Sequence, residues 1–216
     1  TKVSMAIHDL FESKIKRKFY FFDNLNEKEL FNFKKKENLN RVLFLIISKS
    51  GNTIETLVNT FSLEILKENA KNIIIISEKK NSQLYALAKK LNLFYIEHKN
   101  FIGGRYSVLS EVGIIPAYFM GIDVKKLRSN ISGVFKKNKL QLKDNSIKLT
   151  NLIKSRKFNN LILLNYAPQL EKFLFWCQQL IAESLGKKNK GLLPIVSSMP
   201  KDNHSVMQLY LDGFKN

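Results

Sequence analysis

Cysteine is almost missing from this sequence: Cys177 is the only one in 216 residues. No disulfide can form within the chain, which excludes the small stapled folds of secreted proteins. Cys177 sits between Trp176 and Gln178 in an apolar helical pattern. It reads as a small buried hydrophobe rather than a nucleophile. Histidine is scarce as well. His8, His98 and His204 are the only three, and no two stand at metal-ligand spacing. With no Cys cluster and no H-E-x-x-H, the sequence argues for no metal. Long hydrophobic runs are also lacking. Val42–Ile47 and Ile73–Ile76 are far too short to cross a bilayer, and Thr1–Met5 has no apolar signal core. The expected location is the cytoplasm, with no membrane partner.

Acidic residues are few: 18 Asp and Glu stand against 36 Lys and Arg, a formal charge of +18. Such an excess can mark a nucleic-acid binder. Here the lysines are scattered in short groups, Lys34–Lys36, Lys79 and Lys80, Lys89 and Lys90, Lys136 and Lys137, Lys187 and Lys188. No RNA-binding aromatic motif, zinc-finger spacing or zipper accompanies them. The charge reads as a solvated lysine-rich surface on an enzyme of anionic substrates, with no nucleic-acid partner expected.

What is present is a hydrophobic fraction of 44%, enough for a real core, in a length that suits one or two domains. Short apolar runs alternate with helical patterns, which predicts an α/β fold of three layers, parallel sheets between helices. The predicted strands are Lys18–Phe22, Val42–Ile47, Asn72–Ser77, Leu93–Ile96, Leu161–Asn165 and Leu192–Val196. Their runs are apolar on both faces, as covered parallel strands are. Helices are predicted at Val3–Ile15, Thr53–Glu68, Gln83–Leu91 and, most clearly, Pro168–Leu185. That last one carries Leu170, Phe173, Leu174, Cys177, Leu180 and Ile181 at helical spacing, with proline at its start and Gly186 at its end. Gly121–Asn145 is polar and predicts a helix near Val124–Phe135, then a loop. The division expected is 1–122, a connecting helix and loop over 123–145, and a second unit over 146–216. The chain opens on a helix without an initiator methionine and stops just after another helix, so both ends read as cut.

Four stretches carry chemistry. Ser48-Lys49-Ser50-Gly51-Asn52-Thr53 follows an apolar strand and opens a helix. Backbone N–H groups and the positive helix end there suit an anion, above all a phosphate. Ser48, Ser50 and Thr53 add hydroxyl donors, and Gly51 allows close approach. Asn52 with Glu55 reads equally as a capping pair on a helix with no ligand. Phe101-Ile102-Gly103-Gly104-Arg105 holds an arginine on a tight turn, suited to an anion or to developing negative charge. Glu183 lies at the edge of an apolar helical stripe, where partial desolvation would suit a general base; by itself it reads as a surface glutamate. His204 follows Pro200 and Asp202 in a loop-to-helix setting that suits proton transfer. His8 and His98 have no such setting.

In order, S-K-S-x-x-T-x-E-T, G-G-R-Y-S, E-S-x-G-K and H-S before a helix resemble the phosphoglucose isomerase family. Ser107–Pro116 and Trp176–Lys187 resemble it too, so the likeness covers nearly the whole chain. The resemblance implies two sugar isomerase (SIS), flavodoxin-like units. It implies that Ser48, Lys49, Ser50 and Thr53 hold a sugar phosphate, with Gly103 and Gly104 lining the site. It implies Glu183 as the base that moves a proton between C2 and C1, Arg105 as the cation beside the enediolate, and His204 as the group that helps open the sugar ring. It further implies a homodimer with its active site at the subunit interface, and neither cofactor nor metal. The family's Gly-rich loop upstream of Thr1 and its catalytic lysine beyond Asn216 are not in these residues, so the chain by itself is expected not to turn over substrate. A second reading, a non-catalytic SIS module that senses a phosphosugar, needs the Ser48–Thr53 loop but not Glu183, Arg105 and His204.

Overall fold

The computed structural model describes residues 2–155 and 158–213. The elements run α1 (Lys2–Phe11), α2 (Glu27–Lys36), β1 (Phe44–Ile47), α3 (Ile54–Ser62), β2 (Ile73–Ser77), α4 (Gln83–Lys90), β3 (Phe94–Glu97), α5 (Glu111–Phe119), α6 (Val124–Ser129), α7 (Ile131–Ser155), β4 (Asn160–Asn165), α8 (Glu171–Leu185), β5 (Leu193–Ser198) and α9 (Met207–Asp212). The fold is α/β, with parallel sheets flanked by helices. The chain forms two compact units, one over Lys16–Met120 and one that gathers Ser4–Ile15 with the chain from Gly121 onward.

In the first unit β2 is the middle strand of a parallel sheet ordered β1-β2-β3, pairing Phe44 with Ile73 on one side and Ile74 with Phe94 on the other. Ile73, Ile75 and Ile76 are fully buried. A middle strand covered by helices has no polar side to show, which is why this stretch is four isoleucines in a row. The core around it takes Leu30 and Phe33 from α2, Phe44 and Ile46 from β1, and Leu84 and Ala88 from α4. In the second unit β4 and β5 pair in parallel from Asn160 with Leu193 to Asn165 with Ser198. α8 packs on this pair and is tied to it by Gln178 Nε2, which donates to the Pro194 carbonyl at 2.8 Å. α1 buries Val3, Ser4, Ala6 and Ile7, a helical face three and four residues apart.

Several expectations are corrected. Lys18–Phe22 is not a strand. Its apolar character packs against α2 instead: the Tyr20 and Phe22 rings lie 4.9 and 5.1 Å from Phe33. The helix expected to reach Glu68 ends at Ser62, and Glu64, directly after its C-cap, sits at φ +56°, a left-handed geometry that stops a helix. The loop expected before Asn145 is helix, since α7 runs unbroken to Ser155. Its polar composition is that of a solvated surface, with Lys148 reaching back one turn to Asp144 at 2.7 Å. Two helices escaped the pattern reading. α2 is capped by the Asn26 side chain and has Glu27 and Glu29 in its first turn against Lys34–Lys36 in its last, a charge order that complements the helix dipole. α5 was hidden by Gly113 and Pro116 within it.

Candidate active site

The Ser48 turn leaves the sheet at the end of β1, where Ser48 N–H still donates to the Ile76 carbonyl at 3.1 Å. Ser48 is buried. Its Oγ lies 2.7 Å from Thr53 Oγ1 and 3.5 Å from Ser50 Oγ, and Ser50 Oγ lies 3.4 Å from Thr53 Oγ1. The Ser48, Ser50 and Thr53 hydroxyls therefore meet at one point, each able to rotate its proton toward a ligand. Gly51 carries φ +69°, and a Cβ there would overlap Ser82 Oγ and lie 2.8 Å from Ser82 Cβ. Only glycine fits, on both counts.

The expected Asn52–Glu55 cap on α3 does not form. Thr53 is the N-cap of α3, and no side chain caps it. Asn52 reaches across instead: its Oδ1 accepts from the Gln83 N–H at 2.9 Å, at the start of α4. The first turn of α3 is thus left without a side-chain acceptor, next to the three hydroxyls, which is the arrangement an oxyanion fits.

Lys49 joins this turn to the second motif. Its ammonium donates to the carbonyls of Ile102 at 2.9 Å and Asn100 at 3.3 Å, and it pairs with Glu78 at 3.2 Å. Lys80 holds the other oxygen of Glu78 at 2.8 Å, and these partners keep the Glu78 carboxyl below its usual range, against the opposing effect of its burial. Gly103 then precedes a 3₁₀ turn, Gly104–Leu109, braced inside by buried Ser107, whose Oγ donates to the Gly104 carbonyl at 2.5 Å. Arg105 projects from this turn with its guanidinium carbon 4.8 Å from the Tyr106 ring centroid. Ser48, Lys49, Ser50, Thr53, Gly103, Gly104 and Arg105 all belong to the first unit.

Glu183 and His204 belong to the second. Glu183 lies near the end of α8, where Gln179 Nε2 donates to its Oε1 at 2.7 Å. It is exposed rather than partly desolvated, because the helix turns its packed face toward β4 and β5 and Glu183 falls outside that face. His204 closes a 3₁₀ turn, Lys201–His204, after β5, and is exposed. Cys177 is half-buried on α8, and burial pushes its thiol up, away from the reactive thiolate.

Asp202 has a role that the pattern around His204 did not reveal. Its Oδ2 accepts from Ser197 Oγ at 2.7 Å and from the Ser198 N–H at 2.8 Å, fastening the His204 turn to the end of β5. Those two bonds, with Lys201 nearby, hold its carboxyl below the ordinary value of 3.8. A carboxyl so depressed contributes stability in full above that ordinary value and loses it as pH falls through its folded value. Asp202→Asn is therefore expected to lower the melting temperature at pH 7, with a gap to the parent that narrows on acidification below about pH 3.8. Thermal melts at both pH values check this, and a gap independent of pH would contradict it.

Among the described residues no group of three His, Cys, Asp or Glu is placed to hold a metal ion, and no helix is long and apolar enough to cross a membrane. Residues 3–192 match the sequence model of the phosphoglucose isomerase family. The chain is 33% identical over 207 residues to a glucose-6-phosphate isomerase of Methanocaldococcus jannaschii, a match that covers 91% of this chain and 51% of that one. A Campylobacter jejuni glucose-6-phosphate isomerase is 34% identical over 226 aligned residues, covering 98% and 55%. Among solved structures, a hypothetical protein from Thermus thermophilus superposes with a TM-score of 0.82 at 24% identity, over 99% of this chain and 55% of that one. A glucose-6-phosphate isomerase from Chlamydia trachomatis does so with a TM-score of 0.74 at 17% identity, over 99% and 46%. The chain spans about half the length of these relatives.

Proposed function

This chain belongs to the phosphoglucose isomerase family, and we propose that the full-length protein interconverts glucose 6-phosphate and fructose 6-phosphate. One observation carries the reading. The hydroxyls of Ser48, Ser50 and Thr53 gather at the uncapped start of α3, and Lys49 ties that turn to the backbone just before Gly103, Gly104 and Arg105. A candidate phosphate site and a turn-mounted guanidinium are thus held in one unit.

The chemistry follows from the residue types. Aldose to ketose conversion removes the proton at C2, passes through an enediolate, and returns a proton at C1. A single carboxylate can perform both transfers, and Glu183 is proposed as that base. The charge that develops on oxygen calls for a fixed cation, the proposed role of Arg105. His204 is proposed to shuttle the proton that opens the sugar ring. Gly103 and Gly104 are proposed to line the sugar with their backbone. The reading extends to two SIS-type units, a homodimer with its active site at the interface, a cytoplasmic location, and service in both glycolysis and gluconeogenesis.

The test is a coupled assay on the full-length protein. With fructose 6-phosphate supplied, glucose 6-phosphate is expected to appear with saturation kinetics. Binding of the sugar phosphate with no turnover would instead select a phosphosugar-sensing module and overturn the isomerase reading.

A further inference from the structure

We propose that His98 and Glu111 form a buried positioning pair that fixes the turn carrying Gly103, Gly104 and Arg105, and so sets where the Arg105 guanidinium sits. The proposal rests on the isomerase reading only for what Arg105 does; the pair itself stands on geometry. His98 follows directly on β3, its own N–H donating to the Ser77 carbonyl at 2.8 Å, and its side chain is fully buried. Both ring nitrogens are engaged. Nδ1 meets Glu111 Oε1, and Nε2 lies 3.1 Å from the Ile102 carbonyl oxygen.

The proton count decides how the ring is held. A carbonyl oxygen only accepts, so Nε2 carries a hydrogen and donates it to Ile102. The contact between Nδ1 and a carboxyl oxygen then needs one proton between them, on the ring or on the carboxyl. In either form the donation to Ile102 persists. The pair therefore clasps the excursion from 99 to 110 at both ends: Ile102 at its start, and Glu111, the first residue of α5, at its finish. Lys49 Nζ donates to the same Ile102 carbonyl at 2.9 Å, which fills its second lone pair. Inside the clasp, Ser107 Oγ donates to Gly104 and Ser110 Oγ to Ser107, at 2.5 and 2.8 Å. His98 and Ser107 beneath the turn are buried, while Arg105 stays half-buried and Tyr106 beside it is exposed. The charged groups of this neighbourhood are Glu111 on α5, Lys49, Glu78 and Lys80 at the strand tips, and Glu97 with Lys99 on either side of His98. Each has a partner.

His98 is a positioning residue: it acts through Arg105. Two readouts separate that from a merely structural part. In the 216-residue chain, His8 and His204 are the only other histidines, so nitrogen NMR of the imidazoles assigns His98 by one substitution. The expected result is an Nε2-bound proton in slow exchange with water. His98→Phe and Glu111→Leu should both shift or broaden the Arg105 Nε–H resonance, while Glu111→Gln, whose amide can still donate to Nδ1, should leave it in place. In the full-length protein with fructose 6-phosphate, His98→Phe and Glu111→Leu should each lower kcat by about ten- to a hundred-fold and leave KM within about two-fold, since a small misplacement of a charge-stabilising group acts on the transition state. Glu111→Gln should restore most of the rate. An Arg105 resonance unmoved by both disruptive variants, or an unchanged kcat per folded molecule, overturns the pair. If the parent full-length protein shows no isomerisation, the isomerase reading fails and the Arg105 resonance alone decides the proposal.

Discussion

Glu183→Gln in the full-length protein is expected to lower isomerisation by about 10²–10⁴-fold, the range removed with a general base. The substitution keeps the side chain's size and removes only its charge and basicity. The helix that carries it should not notice. Glu183 is exposed near the end of α8, and Gln179, 2.7 Å away, can rotate its amide to meet a glutamine. Sugar phosphate binding should therefore survive, because the Ser48, Ser50 and Thr53 hydroxyls are on another element. The measurement is kcat in the coupled assay beside the dissociation constant for fructose 6-phosphate. Retained turnover would remove Glu183 as the base. Lost turnover together with lost binding would point to misfolding and leave the assignment unsupported.

The second large effect is on stability and is read on the chain itself. Gly51→Ala is expected to cost about 2–4 kcal/mol, combining a left-handed backbone with overpacking against Ser82. The position has no easy escape. Ser82 caps α4 by accepting from the Tyr85 N–H at 3.4 Å, and Gly51 itself bridges to α4, its carbonyl accepting from the Leu84 N–H at 3.1 Å. Moving either partner disturbs the start of α4. Urea denaturation checks the cost, and a midpoint matching the parent would show that the turn has slack the geometry does not reveal. Inorganic phosphate, used as a probe, should also bind more weakly to the variant, since Ser48 Oγ accepts from the Gly51 N–H at 3.2 Å and shares in that turn.

Some of this was written plainly in the sequence and some was not. β1, β2, β3, β4 and β5 were legible because parallel strands between helices need unbroken apolar runs, and Ile73–Ile76 admits no other use. Lys18–Phe22 misled because aromatic residues suit a strand and a packed coil alike, and only the partner, Phe33, distinguishes the two. Glycine-rich and hydroxyl-rich turns after strands were equally legible, so Ser48–Thr53 and Gly103–Arg105 stood out. What a pattern cannot carry is the identity of a distant partner. Asn52 looked like a cap for α3 and accepts instead from the first N–H of α4; Lys49 gave no sign that it also reaches the Ile102 carbonyl; His98 looked unplaced and meets Glu111. Each outcome is set by the crossing of loops brought together by the sheet, and no local spacing encodes it.

α7 has 25 residues and not one of them is buried in this chain. A helix of that kind draws its cohesion from its own turns and lacks the packing of an apolar face from which most helices in proteins take their stability. Warming should unravel it ahead of the sheets. Far-ultraviolet ellipticity would then fade while the emission of Trp176, on α8, stays constant, and a single midpoint fitted to either trace would describe only part of the molecule.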